Sequence, residues 1–228
     1  MSFSSLLRPF GLCSFIGGLL IALVQPWLYV DPESFIATYL NYIGYLLIAF
    51  GMIGLCLVQY KSMGVFSFFS FTILFFGMIM WLGVKWFQTF VVADILISAP
   101  EVMDSGLQAT LFGMNLSLYS LLIGMILFAV ISLWKGIVSP FGSSLLLIGS
   151  ITEIFRPFVG TGSYESIIAP IIIGLAFSSL GYSLFLKQYQ DQDMFEDLSE
   201  NKTADIRDAN QEQGISRSQV QAEMSSSV

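Results

Sequence analysis

The chain contains no histidine. That absence removes the commonest protein metal ligand, imidazole ligation of haem, and the side chain best suited to proton transfer near neutral pH. Cysteine is almost as scarce, with Cys13 and Cys56 the only two. Each falls near the same end of an apolar run, so the two thiols could sit at similar depth on neighbouring helices. Two thiols without further ligands make a poor metal site, and both read as small buried apolar residues. Charge is the third shortage. Only 11% of the 228 residues are charged, against about 25% in an ordinary soluble domain. Residues 190–228 hold 12 of the 25 charged residues, which leaves the remainder poorer still. No nucleophile paired with a base and no set of metal ligands stands out, and no strand–Gly-rich loop–helix unit is present to hold phosphate. The expectation is a protein that is not an enzyme, has no cofactor and has no nucleic-acid partner.

What is present is apolar. Hydrophobic residues make up 55% of the chain, and mean hydropathy is +0.78. A chain of this size cannot hide so much apolar surface from water by packing alone, so the lipid bilayer must cover it. The expected fold is all-α: a polytopic transmembrane bundle over residues 1–187 in the cell membrane. Six spans are expected, at about 9–30, 33–60, 63–86, 106–134, 139–156 and 166–187. The first run has no small-x-small cleavage site after it, so an uncleaved span is favoured over a signal peptide. Asp31-Pro32-Glu33 predicts the start of the second helix, Ser62 can cap the third, and Ser105 with Gln108 can form a capping box for the fourth. Ser139-Pro140 reads as cap and first position of the fifth. That span is rich in Ser and Gly, which suits close contact in lipid and places it toward the protein interior. Pro170 falls in or just beyond the first turn of the sixth, where it is tolerated.

Between the third and fourth spans, residues 85–105 carry much of the charge found outside the tail. The run Phe90–Ile97 is shorter than the roughly 20 residues needed to cross a bilayer, and Asp94 interrupts it. An extracytoplasmic loop, part helical or interfacial, is expected here as a cap over the outer mouth of the bundle. Residues 188–228 are polar, acidic and poor in aromatics, so a disordered cytoplasmic tail is expected. Orientation follows from basic residues near span ends. Alternation puts Arg8, Lys61, Lys135 and Lys187 on one side and only Lys85 and Arg156 on the other, so both termini are expected in the cytoplasm. Tyr45 to Lys61 matches Tyr119 to Lys135 in spacing; a shared need for an interfacial aromatic and a cytoplasmic Lys explains this better than duplication.

Glycines recur through the spans: Gly17, Gly18, Gly44, Gly51, Gly77, Gly83, Gly174 and Gly181. Their spacing predicts close helix packing rather than phosphate binding, with Gly18, Gly44, Gly51, Gly174 and Gly181 as the main packing positions. Gln25, Lys85, Gln88, Glu153 and Arg156 should all lie toward the outer leaflet. Glu153 and Arg156, three apart, can pair on one helix face. Ionisable groups at membrane depth usually face a bundle interior or cavity. The plainer alternative has Lys85 and Arg156 snorkelling to the interface, with Glu153 satisfying Arg156.

The segment FVVADILISAPEVMD, the fourth span leading into a basic turn, and the closing LGYSLFL resemble a broad group of small bacterial six-helix membrane proteins. Ala99-Pro100-Glu101 and Leu180-Gly181-Tyr182 carry the likeness, which covers about residues 8–187. Ala93-Asp94 departs from it, since such proteins often have a Pro there. The resemblance implies the architecture and no particular reaction. Three function classes follow. First is a non-enzymatic scaffold or accessory protein that meets a protein partner through the acidic tail or outer loop. Second is a small permease or exporter with a site near Glu153 and Arg156, and last an intramembrane enzyme acting on lipid.

Overall fold

The computed structural model describes residues 3–63, 65–98, 108–136, 138–159 and 167–186. The chain divides into two units, Met1–Leu186 and Lys187–Val228. The second, where the acidic tail was expected, lies outside the described residues, as do 99–107 of the outer loop with the Ser105 cap.

The first unit is all-helical among the described residues. In chain order it comprises α1 (Phe3–Val30), α2 (Phe35–Met63), α3 (Val65–Trp86), a π-helical turn (Phe87–Val91), α4 (Val92–Ser98), α5 (Gln108–Lys135) and α6 (Pro140–Val159), then α7 (Ile167–Leu186). Five stretches are long and apolar enough to cross a membrane: Leu7–Val30, Phe35–Val58, Phe68–Val91, Leu111–Trp134 and Ile167–Leu186. Their outer faces carry large apolar side chains in the open, among them Leu23, Phe66 and Phe112, each at least 70% exposed. Such a belt is stable only against lipid, so the protein is membrane-embedded.

The sixth long helix, α6, is not among those five. Its inward stripe explains why. Ser143, Ser150 and Glu153 are buried, while Phe141, Ile148, Ile151 and Phe155 are exposed. A polar inner face behind an apolar outer face lowers the average hydropathy without making the helix unsuited to lipid. Thus α6 turns its small polar face to the interior, and its opposite, apolar face is exposed.

Local signals set several helix ends. Pro140 opens α6, and the Gly142 amide donates to Ser139 Oγ at 3.4 Å, with the Ser143 amide donating to the Ser139 carbonyl at 3.1 Å. Gly136 follows α5 with φ +60°, the left-handed conformation that ends helices at little cost only for glycine. Two expectations need correction. Asp31 does not begin α2: its amide closes α1 on the Trp27 carbonyl, its carbonyl accepts the Ser34 amide, and Ser34 occupies the cap position with the Thr38 amide on its carbonyl. Ser62 likewise belongs to the last turn of α2 rather than the start of α3.

The helices pack antiparallel to their main neighbours, and glycine sets the tightest approaches. On α1, Gly17 meets α2 at Gly44 and Leu47, whereas Gly18 meets α7 at Gly174 and Ser178. Adjacent residues therefore serve two different helices. A Cβ at Gly18, Gly51 or Gly181 would run into backbone atoms of the facing helix, and one at Gly44 or Gly174 would crowd Gly17 or Gly18 and their neighbours. Two hydrogen bonds cross the α1–α7 contact reciprocally: Ser14 Oγ donates to the Phe177 carbonyl at 2.9 Å, and Ser178 Oγ to the Phe15 carbonyl at 3.0 Å. Close backbones make these bonds possible, and the hydroxyls would otherwise lie unpaired in an apolar setting. Gly77 and Gly124 play the same part between α3 and α5, against Leu121 and Leu74. Gly83 does not, because a Cβ there meets nothing within 4 Å. One core runs through these contacts, with Ile21, Ile48, Met78, Met125, Leu146 and Phe177 among its buried members.

Candidate functional site

At one end of the bundle this packing opens. The end is formed by the C-terminal turns of α1, α3 and α6 and the N-terminal turns of α2, α5 and α7, and all six helices wall one cavity of about 310 Å³. Gln25, Lys85, Gln88, Glu153 and Arg156 all line it. The α5 wall runs from Met114 and Asn115 at the rim to Met125, a depth of about 16 Å at the α-helical rise.

All five polar side chains come from α1, α3 with the π turn that continues it, and α6, the helices that end at the cavity. Side chains on a helix lean toward its N-terminus. On these three helices that direction is into the bundle, which is why the groups turn down into the cavity instead of reaching up to water. Lys85 demonstrates it. Its Nζ lies 4.8 Å from the ring centroid of Trp81, one turn earlier on α3, and 5.9 Å from that of Tyr45 on α2. The two rings meet edge to face at 6.3 Å. Gln88 Oε1 accepts from Nζ at 3.3 Å. Among the described residues no carboxylate stands within ion-pair distance of Lys85, so ring faces and one amide are its companions. A charge in that setting is stabilised by the ring quadrupoles but not neutralised.

On α6, Arg156 Nη1 pairs with Glu153 Oε1 at 2.9 Å. The two ends differ sharply, with Arg156 41% exposed and Glu153 8%. Glu153 Oε2 is buried without a hydrogen-bond donor, and Trp81 Nε1 is buried without an acceptor. An orphaned carboxylate oxygen at such depth is costly. The carboxylate thus commits one oxygen to Arg156 and leaves the other, buried, without a protein donor. A third polar pair closes the α1–α2 side, where Gln25 Nε2 donates to Asn41 Oδ1 at 3.2 Å. Asn41 is buried.

The stretch from Lys85 is helical through Ser98, so the expected outer loop is helix over its described part. Its π turn accommodates one extra residue, a distortion found often at functional sites. Thr89 Oγ1 donates to the Lys85 carbonyl at 2.8 Å within it, and Phe90 packs edge-on against Tyr39 and Tyr42 of α2. This part supplies cavity wall through Gln88. Residues 99–107, expected to complete a cap over the mouth, lie outside the described residues.

Among the polar and aromatic residues at or near the wall, sequence reasoning missed Asn41, Tyr45, Trp81 and Asn115. Asn41 and Tyr45 are four apart, and Trp81, Lys85 and Gln88 follow at helical spacing, so a polar–aromatic stripe was the available signal. Tyr45 was expected to be an interfacial aromatic matched to Tyr119. It is instead 9% exposed and lines the cavity, whereas Tyr119 is 44% exposed. The matching spacing of the two segments thus hides two different environments.

No set of three or more potential metal ligands lies together among the described residues. Cys13 and Cys56 are both free and half-buried. Set beside protein-family models, curated proteins and solved structures, the chain matches none of them.

Proposed function

We propose that the protein crosses the cell membrane six times, with α6 as the additional span and both termini cytoplasmic. In that orientation the cavity opens outward and binds a small polar ligand, as in a small permease or exporter or a membrane receptor. One observation carries this reading: six helices converge on a cavity holding a cation that, among the described residues, has no carboxylate within ion-pair distance, and a buried carboxylate oxygen without a protein donor. Lys85 can receive an acidic group, and Glu153 Oε2 can accept from a hydroxyl or amine. With Lys85, Glu153 and Arg156 ionised, the lining carries one net positive charge, which favours an anionic ligand. The volume suits a compact one, at the lower end of the roughly 300–1,000 Å³ found for small-molecule sites. Kinship with small bacterial six-helix membrane proteins belongs to the same reading, on Ala99-Pro100-Glu101 and Leu180-Gly181-Tyr182. The scaffold role expected first from the sequence, through the acidic tail or the outer loop 85–105, stands as the second reading.

The test uses Asn115→Cys, at the cavity rim, with Cys13 and Cys56 replaced by Ala. Intact cells are treated from outside with membrane-impermeant thiosulfonates of either charge. The anionic reagent should react about tenfold faster than the cationic one, as expected for a field focused in a cleft. Lys85→Gln should erase the preference and Glu153→Gln should strengthen it. Labelling only after the membrane is opened would reverse the orientation. A preference indifferent to Lys85 would remove the site.

A further inference from the structure

Beside the polar cavity, at the same end of the bundle, a second hollow of about 320 Å³ lies between α3 and α5. Gly83, Val84 and Phe87 form one side, and Gly113, Met114 and Ser117 the other. It is almost wholly apolar. Its one hydroxyl, Ser117 Oγ, is committed to the Met114 carbonyl at 2.8 Å. Gly83 and Gly113 leave it open, since an added Cβ at either meets nothing within 4 Å. Deeper along the same two helices Gly77 and Gly124 hold the backbones in contact with Leu121 and Leu74. The α3–α5 pair is therefore tight below and parted above. Met114 belongs to both hollows, lining the apolar groove and the polar cavity. Its flexible thioether chain is the wall the two share, and such a side chain adapts readily to what lies against it.

We infer that the cavity takes an anionic lipid from the surrounding bilayer, its head beside Lys85 and Glu153 and an acyl chain in the α3–α5 groove. This rests on the ligand-binding reading above and names the ligand class. Three features select it. The cavity carries a net positive charge, so the head is anionic; phosphate is the acidic group common to bilayer lipids. Glu153 Oε2 has no protein donor, and a head that carries a hydroxyl, as a glycerol phosphate does, supplies one. The groove is apolar and borders the cavity at Met114, so a chain can lie in it while the head lies on the other side of that flexible side chain. The groove contributes geometry more than hydrophobic gain, because lipid tails are as apolar as its walls. A head group arriving from water would have to drag its chain through the aqueous phase; one arriving sideways does not.

The experiment reads the rate at which a neutral, water-soluble maleimide labels Asn115→Cys in the full chain, reconstituted in bilayers. Dioleoyl phosphatidylglycerol in a phosphatidylcholine bilayer should slow labelling about tenfold relative to phosphatidylcholine alone, the effect of a site mostly occupied. Free glycerol 1-phosphate should protect poorly. Gly83→Leu with Gly113→Leu should abolish protection by the lipid; both positions have open space, so the helices tolerate the change. Equal protection by glycerol 1-phosphate, with no effect of the leucines, would overturn the lipid assignment and leave a small soluble ligand in place. Absence of protection by either probe, with the Lys85-dependent charge preference intact, would also overturn it. Loss of that charge preference would instead sink the underlying binding site.

Discussion

The α1–α7 contact and the part of the α3–α5 contact nearest the cavity are built with the same residue type and do opposite things. Gly18 and Gly174 bring two backbones together so closely that hydroxyls on each helix reach carbonyls on the other. Gly83 and Gly113 face an apolar hollow with nothing near their missing side chains. Glycine in a membrane helix permits close approach but does not cause it. Whether the space is filled depends on the partner's residue at that level and on where the helix axes diverge. Between α3 and α5 both outcomes occur on one helix pair, tight at Gly77 and Gly124 and open at Gly83 and Gly113.

The largest effect should come from breaking the tight contact. Gly18→Val places a branched side chain against the Gly174 and Ser178 backbones, where no rotamer change gives relief. Overpacking usually costs about 1–3 kcal/mol and more where the backbone itself must move. The variant should be lost as a monodisperse species on size-exclusion chromatography, and a normal elution profile would contradict the close approach. A smaller effect is expected from removing the crossing hydrogen bonds while keeping the approach. Ser14→Ala with Ser178→Ala should lower stability by about 1 kcal/mol, given roughly 0.6 kcal/mol for an interhelical bond in a membrane protein. Thermal unfolding in detergent measures this, and an effect as large as that of Gly18→Val would mean the bonds, not the packing, hold the contact. The smallest effect belongs to the open side. Gly83→Leu alone should leave stability unchanged or raise it by up to about 1 kcal/mol through helix propensity. A melting temperature several degrees lower would show that the hollow is closed.

Much of the architecture was legible from residue order. Low charge and long apolar runs are one-dimensional quantities, and lipid acts on them directly. The Ser139-Pro140 helix start could be read because cap chemistry is local. Asp31-Pro32-Glu33 misled because Asp31 is drawn into closing α1 on Trp27, which a scan for starts alone does not weigh. The candidate residues were identifiable because ionisable groups stand out in apolar helices. Their wall partners were not, since Tyr45, Trp81 and Asn41 are equally at home in an interfacial belt, and only the rotation of α2 and α3 about their axes turns them inward.

The sequence by itself determined that this is a helical membrane protein, roughly where its long apolar helices run, and that Gln25, Lys85, Gln88, Glu153 and Arg156 lie toward one end. It did so because burying charge in lipid is expensive and the bilayer thickness sets a length. Only the tertiary structure decided which glycines touch, that Lys85 lies over Tyr45 and Trp81 without a carboxylate beside it, and that Glu153 keeps one oxygen free. Those outcomes depend on the rotation and divergence of neighbouring helices, which side chains far apart in the chain settle together.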